Sequence, residues 1–319
     1  MDKQGFRTLL ESRKVPADKI EPALALAERF ECYAQQAAQG FSAATAWAFS
    51  QDLIKEGQNT IENFYTLARY GLFTKNQAVF VAFVESLDGG EVQENLYQRV
   101  AERFGASLRD EVFAGIGVAP FGLPTPEKPR YLQPVIERLE KAVGKEALRE
   151  FLSACLRDLP DEYFLKQREL YQSSSDVDEY LVKKKQGFVA ELEACQREGR
   201  LFFAQEVTAE VLAYVRCEPE IGGGVRYGNV VYETKIPYLT KQYLAETDDT
   251  LKRYFYCHCP WAREAIKSGE KVGPIFCNCS AGFHKKPWEV VFGQTLQAEV
   301  LESVLQGDLR CRFAIHLPR

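Results

Sequence analysis

The feature that most constrains the fold is a change of pattern near the middle of the chain. Before it, apolar residues recur at the spacing of amphipathic helices in segments 20–38, 41–54, 60–70, 76–87 and 91–104. After Gly199 the segments LFFAQEV, VLAYVRC, VRYGNVVYETKIPY and KRYFYCHC are rich in β-branched and aromatic residues, which favour strands. The sequence therefore predicts an α+β protein. A helical N-terminal region, 1–177, precedes a domain at 178–319 with a mainly antiparallel sheet and packed helices.

Capping residues and breaks refine this outline. Ser42 and Thr60 stand where N-caps are expected, and Ser175 is placed to cap a further helix through Leu181 and Leu192. Segment 115–129 holds several prolines and glycines and predicts a long loop. Helices are expected again at 131–143 and 145–159. The last segment predicts a strand, then a short helix or a continuation of that strand, a turn at Gly307-Asp308 and a final strand at 311–317.

Charge and composition exclude several classes of protein. The formal net charge of -5 over 319 residues gives no basic face for general nucleic-acid binding. The sequence has no apolar run long enough for a membrane span, and its charged N-terminus is not typical of a signal peptide. We therefore expect a cytoplasmic protein without a nucleic-acid or membrane partner. The sequence leaves the oligomeric state open, a homodimer included.

Two C-x-C pairs carry the clearest chemical signal. Cys257 and Cys259 occur in YFYCHCPW, and Cys277 and Cys279 occur in IFCNCSAG. In an extended strand each pair would present both sulfurs on one face, so two adjacent strands would bring four sulfurs together. His258 would then point to the opposite face. In a reducing compartment such cysteines are expected as thiols or metal ligands before disulfides.

Three interpretations of these cysteines stay open. Four thiolates are a ligand set that zinc prefers, which makes Cys257, Cys259, Cys277 and Cys279 a candidate zinc site. One of them could instead be a catalytic nucleophile with His258 or His284 as its base, because a thiolate needs a nearby proton acceptor. Cys257 and Cys259 are the first candidates for that role. Cysteine is also common as a small buried apolar residue.

Neighbouring residues suggest a ligand pocket beside the cysteines. Trp261 and Arg263 follow the first pair closely, and could supply an aromatic wall and a cation for a carboxylate. Glu302 and Cys311 lie on either side of the Gly307 turn and could share a ligand or a metal. A helix–turn–strand corner with Cys311 packed inward is the alternative.

The last segment resembles the closing part of 4-vinyl reductase-type small-molecule-binding domains. The residues that carry this resemblance are Glu302, Gly307, Cys311 and Phe313, and Ser303 stands where that family has a second cysteine. The segment is also similar to L-2-amino-thiazoline-4-carboxylic acid hydrolase-like proteins. The resemblance implies an α+β fold with a pocket between sheet and helices, and zinc held by Cys277 or Cys279 beside that pocket.

A second resemblance covers more of the chain. The signatures C-H-C-P-W-A-R-E, C-N-C-S-A-G-F and Y-E-T-K-I-P-Y resemble those of an uncharacterised cysteine-rich family. This resemblance implies no activity.

The sequence thus supports three hypotheses of function. The first is a small-molecule-binding protein with a cysteine-rich, zinc-bearing site in the C-terminal domain. The second is a cysteine-dependent hydrolase of a small cyclic amide- or thiazoline-like compound. The third is a non-enzymatic sensor or interaction module that docks a partner through its helical half.

Overall fold

The computed structural model describes residues 1–318 and confirms the α+β class. Two compact units are present. The first unit comprises 1–94 and 117–131, and the second comprises 95–116 and 132–319. These divisions differ in position from the boundary at 177/178, which stays a prediction of domain organisation. Among residues 1–318, no helix is both long and apolar enough to cross a membrane.

The first unit is helical. Five helices lie wholly within it: α1 (Lys3–Ser12), α2 (Ala17–Gln36), α3 (Ala43–Lys55), α4 (Ile61–Phe73) and α5 (Gln77–Leu87). The predicted caps are confirmed, since the Ser42 and Thr60 side chains accept hydrogen bonds from the third residue of their own helices. Its core contains many aromatic rings, with Phe30, Phe64 and Phe83 fully buried.

Further helices belong wholly or partly to the second unit. They are α6 (Val92–Phe104), α7 (Ala106–Phe113), α8 (Lys128–Val143), α9 (Lys145–Leu152), α10 (Leu165–Gln172), α11 (Val177–Glu198), α12 (Ala209–Cys217), α13 (Thr240–Ala245), α14 (Asp249–Tyr256), α15 (Arg263–Ser268) and α16 (Asn278–Phe292). A short 3-10 helix, Pro274–Cys277, leads directly into α16. The cap of α11 is Asp176 and not Ser175, because the Asp176 carboxylate accepts from the backbone N–H of Glu179.

The described part of the second unit has one four-stranded antiparallel sheet. Its strands β1 (Val225–Tyr227), β2 (Val230–Thr234), β3 (Gln297–Glu302) and β4 (Arg312–His316) lie in the order β1-β2-β4-β3. Gly228 allows the tight β1–β2 turn because its φ of 60° lies in the left-handed region. Helix α16 packs against β3 and β4, and the core between them contains Trp288, Phe313 and Ile315.

Several segments predicted as strands are helices or loops. VLAYVRC forms α12, whose cap Thr208 accepts from the N–H of Val211, and most of LFFAQEV is irregular. The KRYFY segment belongs to α14, capped by Asp248. The aromatic residues there indicated a strand, but the capping aspartate and the burial of one helical face decide the outcome.

The helix predicted at 145–159 is shorter than expected. Helix α9 ends at Leu152, and the chain then turns through Cys155, whose φ of 62° places a non-glycine residue in the left-handed region. This turn separates Cys155 from the helix that precedes it and determines where its side chain lies.

Candidate functional site

The C-x-C pairs do not lie on strands, and this changes which sulfurs meet. Cys257 and Cys259 follow α14 in the connection to α15, whereas Cys277 ends the 3-10 helix and Cys279 is in the first turn of α16. In an α-helix, residues two positions apart are separated by about 200° around the helix axis. The sulfurs of Cys277 and Cys279 therefore point in different directions. The prediction that each pair presents both sulfurs on one face of a strand is therefore wrong.

Cys277 joins the first pair and Cys311 in a four-thiol cluster, which we define as Cys257, Cys259, Cys277 and Cys311. Burial raises the pKa of Cys257 well above its ordinary value, and the charges of the other three sulfurs raise it further. Burial likewise raises the pKa of Cys277 to about 12, although its sulfur lies 2.9 Å from the Ser303 hydroxyl. These thiols are therefore protonated at neutral pH.

Three members of the four-thiol cluster, Cys257, Cys259 and Cys277, belong to the predicted zinc site. Within residues 1–318, no three His, Cys, Asp or Glu side chains form a group that could hold a metal ion. All nine cysteines are free thiols, so no disulfide competes for these sulfurs. The predicted zinc ion stays a prediction.

Cys279 forms a thiol pair with Cys155, a residue that the sequence analysis did not select. The Cys279 sulfur accepts a hydrogen bond from the backbone N–H of Leu156 at 3.3 Å. The hydrogen bond from Cys279 lowers the pKa of Cys155 to about 7, against the effect of burial, and raises the pKa of Cys279. The N–H and the charge of Arg157 and the charge of Arg99 add to this effect. Cys155 is therefore the more readily ionised thiol of the pair.

A close backbone contact keeps the pair together. A Cβ atom at Gly282 would lie 2.6 Å from the carbonyl oxygen of Ser153 and 2.7 Å from the backbone nitrogen of Cys155. Only glycine lets α16 approach the turn after α9 this closely. Gly282 is therefore part of the geometry of the thiol pair.

Cys155 lines an open cleft, which we call the cationic cleft. The cleft has a volume of about 350 Å³. Its charged wall residues are Arg99, Arg157, Lys286, Asp158 and Glu289. The two carboxylates have cationic partners, since Asp158 lies 3.5 Å from Arg99 and Glu289 lies 2.7 Å from Lys285. Of the cations, Lys286 also lies 2.5 Å from Asp161, which is outside the lining. The lining residues themselves hold one more cation than carboxylates, which favours a small anionic ligand.

A second charged group surrounds Glu233 on β2. Its carboxylate lies 2.7 Å from the Lys184 ammonium and 2.8 Å from Nδ1 of His284, and it accepts from the Trp288 indole at 3.0 Å. Burial alone would raise the pKa of Glu233, but the charge of Lys184 and the hydrogen bond from His284 lower it to about 2. Burial lowers the pKa of His284, although the hydrogen bond and charge of Glu233 act in the opposite direction.

The other predicted catalytic and pocket residues are held by structural contacts. Nε2 of His258 lies 2.6 Å from the Ile236 carbonyl oxygen, and Trp261 is buried. The guanidinium of Arg263 stacks on Tyr238 at 4.5 Å. Glu302 forms a bidentate ion pair with Arg310, with both N–O distances at 2.7 Å.

A separate groove has a volume of about 410 Å³, and some of its lining residues are close in sequence to members of the four-thiol cluster. Its lining includes Gly273 and Pro274, which precede Cys277, and Val304 and Leu305, which follow Ser303. The predicted pocket residues Glu302, Cys311, Trp261 and Arg263 are not part of this lining. Their assignment to a ligand pocket stays a prediction.

Comparison with known proteins adds no assignment. No protein-family model, curated protein or solved structure matches the chain. The resemblances to 4-vinyl reductase-type domains, to the thiazoline hydrolase-like proteins and to the cysteine-rich family therefore stay predictions, and the function is inferred from the site alone.

Proposed function

We propose that the chain binds a small anionic molecule in the cationic cleft and acts on it with Cys155 as the nucleophile. The observation that carries this proposal is the position of Cys155, which lines the cleft beside the Cys279 thiol and two arginines. A thiolate is the nucleophilic form of cysteine, and neighbouring cations and hydrogen-bond donors stabilise it. The reaction is cysteine-dependent, as one of the hypotheses from the sequence has it, but the nucleophile is Cys155 and not a cysteine of the C-x-C segments.

For a small cyclic amide bearing a carboxylate, the reaction balances with the groups present. The Cys155 thiolate attacks the carbonyl carbon, the ring C–N bond breaks, and the nitrogen takes the proton of the Cys279 thiol. Water then cleaves the thioester, releases the carboxylic acid, and restores the Cys155 thiolate and the Cys279 thiol. The arginines bind the substrate carboxylate in this scheme.

The proposal is tested with two alkylating reagents that differ in charge. Iodoacetate is anionic and iodoacetamide is neutral, so the ratio of their rates at Cys155 measures the attraction of the cleft for anions. We expect this ratio to be higher at Cys155 than at exposed Cys32. One charge pair in water is worth about 1 kcal/mol at about 4 Å, so Arg157→Gln is expected to lower the ratio by about fivefold.

Site-resolved mass spectrometry of the alkylated peptides gives both rates. Arg197→Gln is the matched control, because Arg197 is exposed and does not line the cleft. It is expected to leave the ratio unchanged. Equal ratios at Cys155 and Cys32 would show that the cleft does not select anions.

A zinc-bearing, small-molecule-binding role is the second candidate. It is favoured by the convergence of four thiols in the four-thiol cluster, with Cys311 in the place predicted for Cys279. Metal binding would require Cys257, Cys277 and Cys311, whose pKa burial raises, to release their protons. Metal analysis of protein purified without added zinc tests this role, and protein without bound metal would contradict it.

We also propose a cytoplasmic location, since a reducing compartment preserves free thiols.

A further inference from the structure

A further property follows from the contact between the two sulfurs. We propose that Cys155 and Cys279 form a reversible disulfide when a hydroperoxide enters the cationic cleft. If Cys155 also acts on a small molecule as proposed above, this oxidation switches that activity off, and only this regulatory consequence rests on the proposed function.

The geometry of the pair suits a disulfide. The two thiols are hydrogen-bonded to each other, and the Cys279 sulfur lies 3.3 Å from the nitrogen of Leu156, the residue next to Cys155. The backbone of α16 abuts Cys155, because a Cβ at Gly282 would lie 3.0 Å from the Cys155 Cα. A disulfide requires two Cα atoms within roughly 4.4–6.8 Å, a range that such close backbone packing favours.

Cys155 is the member of the pair that lines the cleft, and 4% of its surface is exposed. Cys155 lines an opening of about 350 Å³, which is large enough for hydrogen peroxide or a small organic hydroperoxide. Arg99 and Arg157 lie in the same wall and stabilise a thiolate as it attacks the peroxide oxygen. Reactive sensor cysteines commonly combine such cations with a neighbouring thiol that resolves the first product.

Each step balances. The Cys155 thiolate attacks a peroxide oxygen, the O–O bond breaks, and the leaving alkoxide or hydroxide takes a proton to become an alcohol or water. Cys155 is then a sulfenic acid. The Cys279 sulfur attacks it, an S–S bond forms, and the hydroxyl leaves with the Cys279 proton as water. A dithiol reductant reverses the reaction by thiol–disulfide exchange.

The four-thiol cluster provides a contrast within the same unit. Burial raises the pKa of Cys257, Cys277 and Cys311, and the Cys277 sulfur contacts the Ser303 hydroxyl in place of a second thiol. The residues that line the cationic cleft do not include any member of the cluster. We therefore do not expect hydrogen peroxide to form a disulfide within the four-thiol cluster, although its sulfurs are close together.

The experiment treats the reduced full-length chain with one equivalent of hydrogen peroxide. Free thiols are then counted, and peptides are mapped without reduction. We expect the count to fall from nine thiols, the full number in the sequence, by two. We also expect one new cross-linked peptide, joining Cys155 to Cys279, and full recovery after a dithiol reductant.

Two variants follow the intermediate. Cys279→Ser is expected to stop at the sulfenic acid, which dimedone traps at Cys155, whereas Cys155→Ser is expected to form neither species. The double variant Cys32→Ser, Cys217→Ser removes the exposed thiols and is expected to react like the wild type. The wild-type peptide map needs no variant, so it remains decisive if a substitution impairs folding.

Two results would overturn the inference. One is a cross-link between other cysteines, and the other is an unchanged thiol count after peroxide has been consumed. The alkylation experiment on reduced protein tests the proposed function separately. If the protein forms the expected disulfide but Cys155 shows no preference for iodoacetate, the disulfide proposal is supported and the anion-binding proposal is contradicted.

Discussion

The hydrogen bond between Cys155 and Cys279 shifts the pKa values of the two thiols in opposite directions. Cys155 has a pKa of about 7, and the pKa of Cys279 is raised well above its ordinary value. One thiol of such a pair donates while the other accepts, so the accepting sulfur is stabilised as a thiolate. The same residue type has the opposite behaviour in Cys257, where burial and other sulfurs favour the protonated form.

Glu233 gives the first prediction at this scale. Its carboxylate is buried between Lys184 and His284, so Glu233→Gln leaves the Lys184 ammonium without its counter-charge. Loss of one partner of a buried pair typically costs about 3–5 kcal/mol, and we expect a destabilisation of this order at pH 7. Urea unfolding of both proteins measures it.

The pH dependence of this effect has a definite sign. The pKa of Glu233 falls from 4.5 to about 2 on folding, so its stabilisation is present above pH 4.5 and is lost as the pH falls towards 2. The difference between wild type and Glu233→Gln should shrink over that window. Glu299→Gln is the control, because Glu299 pairs with His316 at an exposed site, where at most about 1 kcal/mol is expected. A pH-independent difference would contradict this account.

At the scale of elements, α16 determines how the cysteines are sorted. Cys279 and Gly282 lie on the side of this helix that meets the turn at Cys155, whereas His284 and Trp288 contact Glu233 on the sheet. A strand would have placed Cys277 and Cys279 together, but the helical period separates them. One wrong element assignment therefore changed the membership of the predicted site.

Gly282→Ala tests the close packing of α16. The added methyl group would meet the backbone of Ser153 and Cys155, so we expect a destabilisation of about 1–3 kcal/mol and slower alkylation of Cys155. Gly187→Ala is the matched control, because Gly187 lies inside α11 with no atom within 4 Å of the added carbon. This control should stabilise the chain by about 0.5–1 kcal/mol. Similar effects of the two substitutions would show that the contact at Gly282 is not tight.

At the scale of the whole molecule, local patterns predicted the class but not the site. Helical spacing and the capping residues Ser42 and Thr60 identified the first helices. Enrichment in β-branched and aromatic residues indicated β2, and the strand expected after the Gly307 turn corresponds to β4. The pairing of Cys155 with Cys279 joins residues far apart in the sequence. It depends on a left-handed turn and on the missing side chain of Gly282, neither of which has a periodic signal. The arginine two residues after Cys155 was the only local indication.

The pH dependence of Cys155 alkylation tests the central claim most directly. Reduced full-length protein is treated with iodoacetamide between pH 5 and pH 10, and mass spectrometry follows each cysteine-containing peptide. The account predicts a rate at Cys155 that rises with a midpoint near pH 7, as its pKa of about 7 requires. A midpoint at or above the value of about 8.5 that is typical of an unperturbed thiol would contradict it.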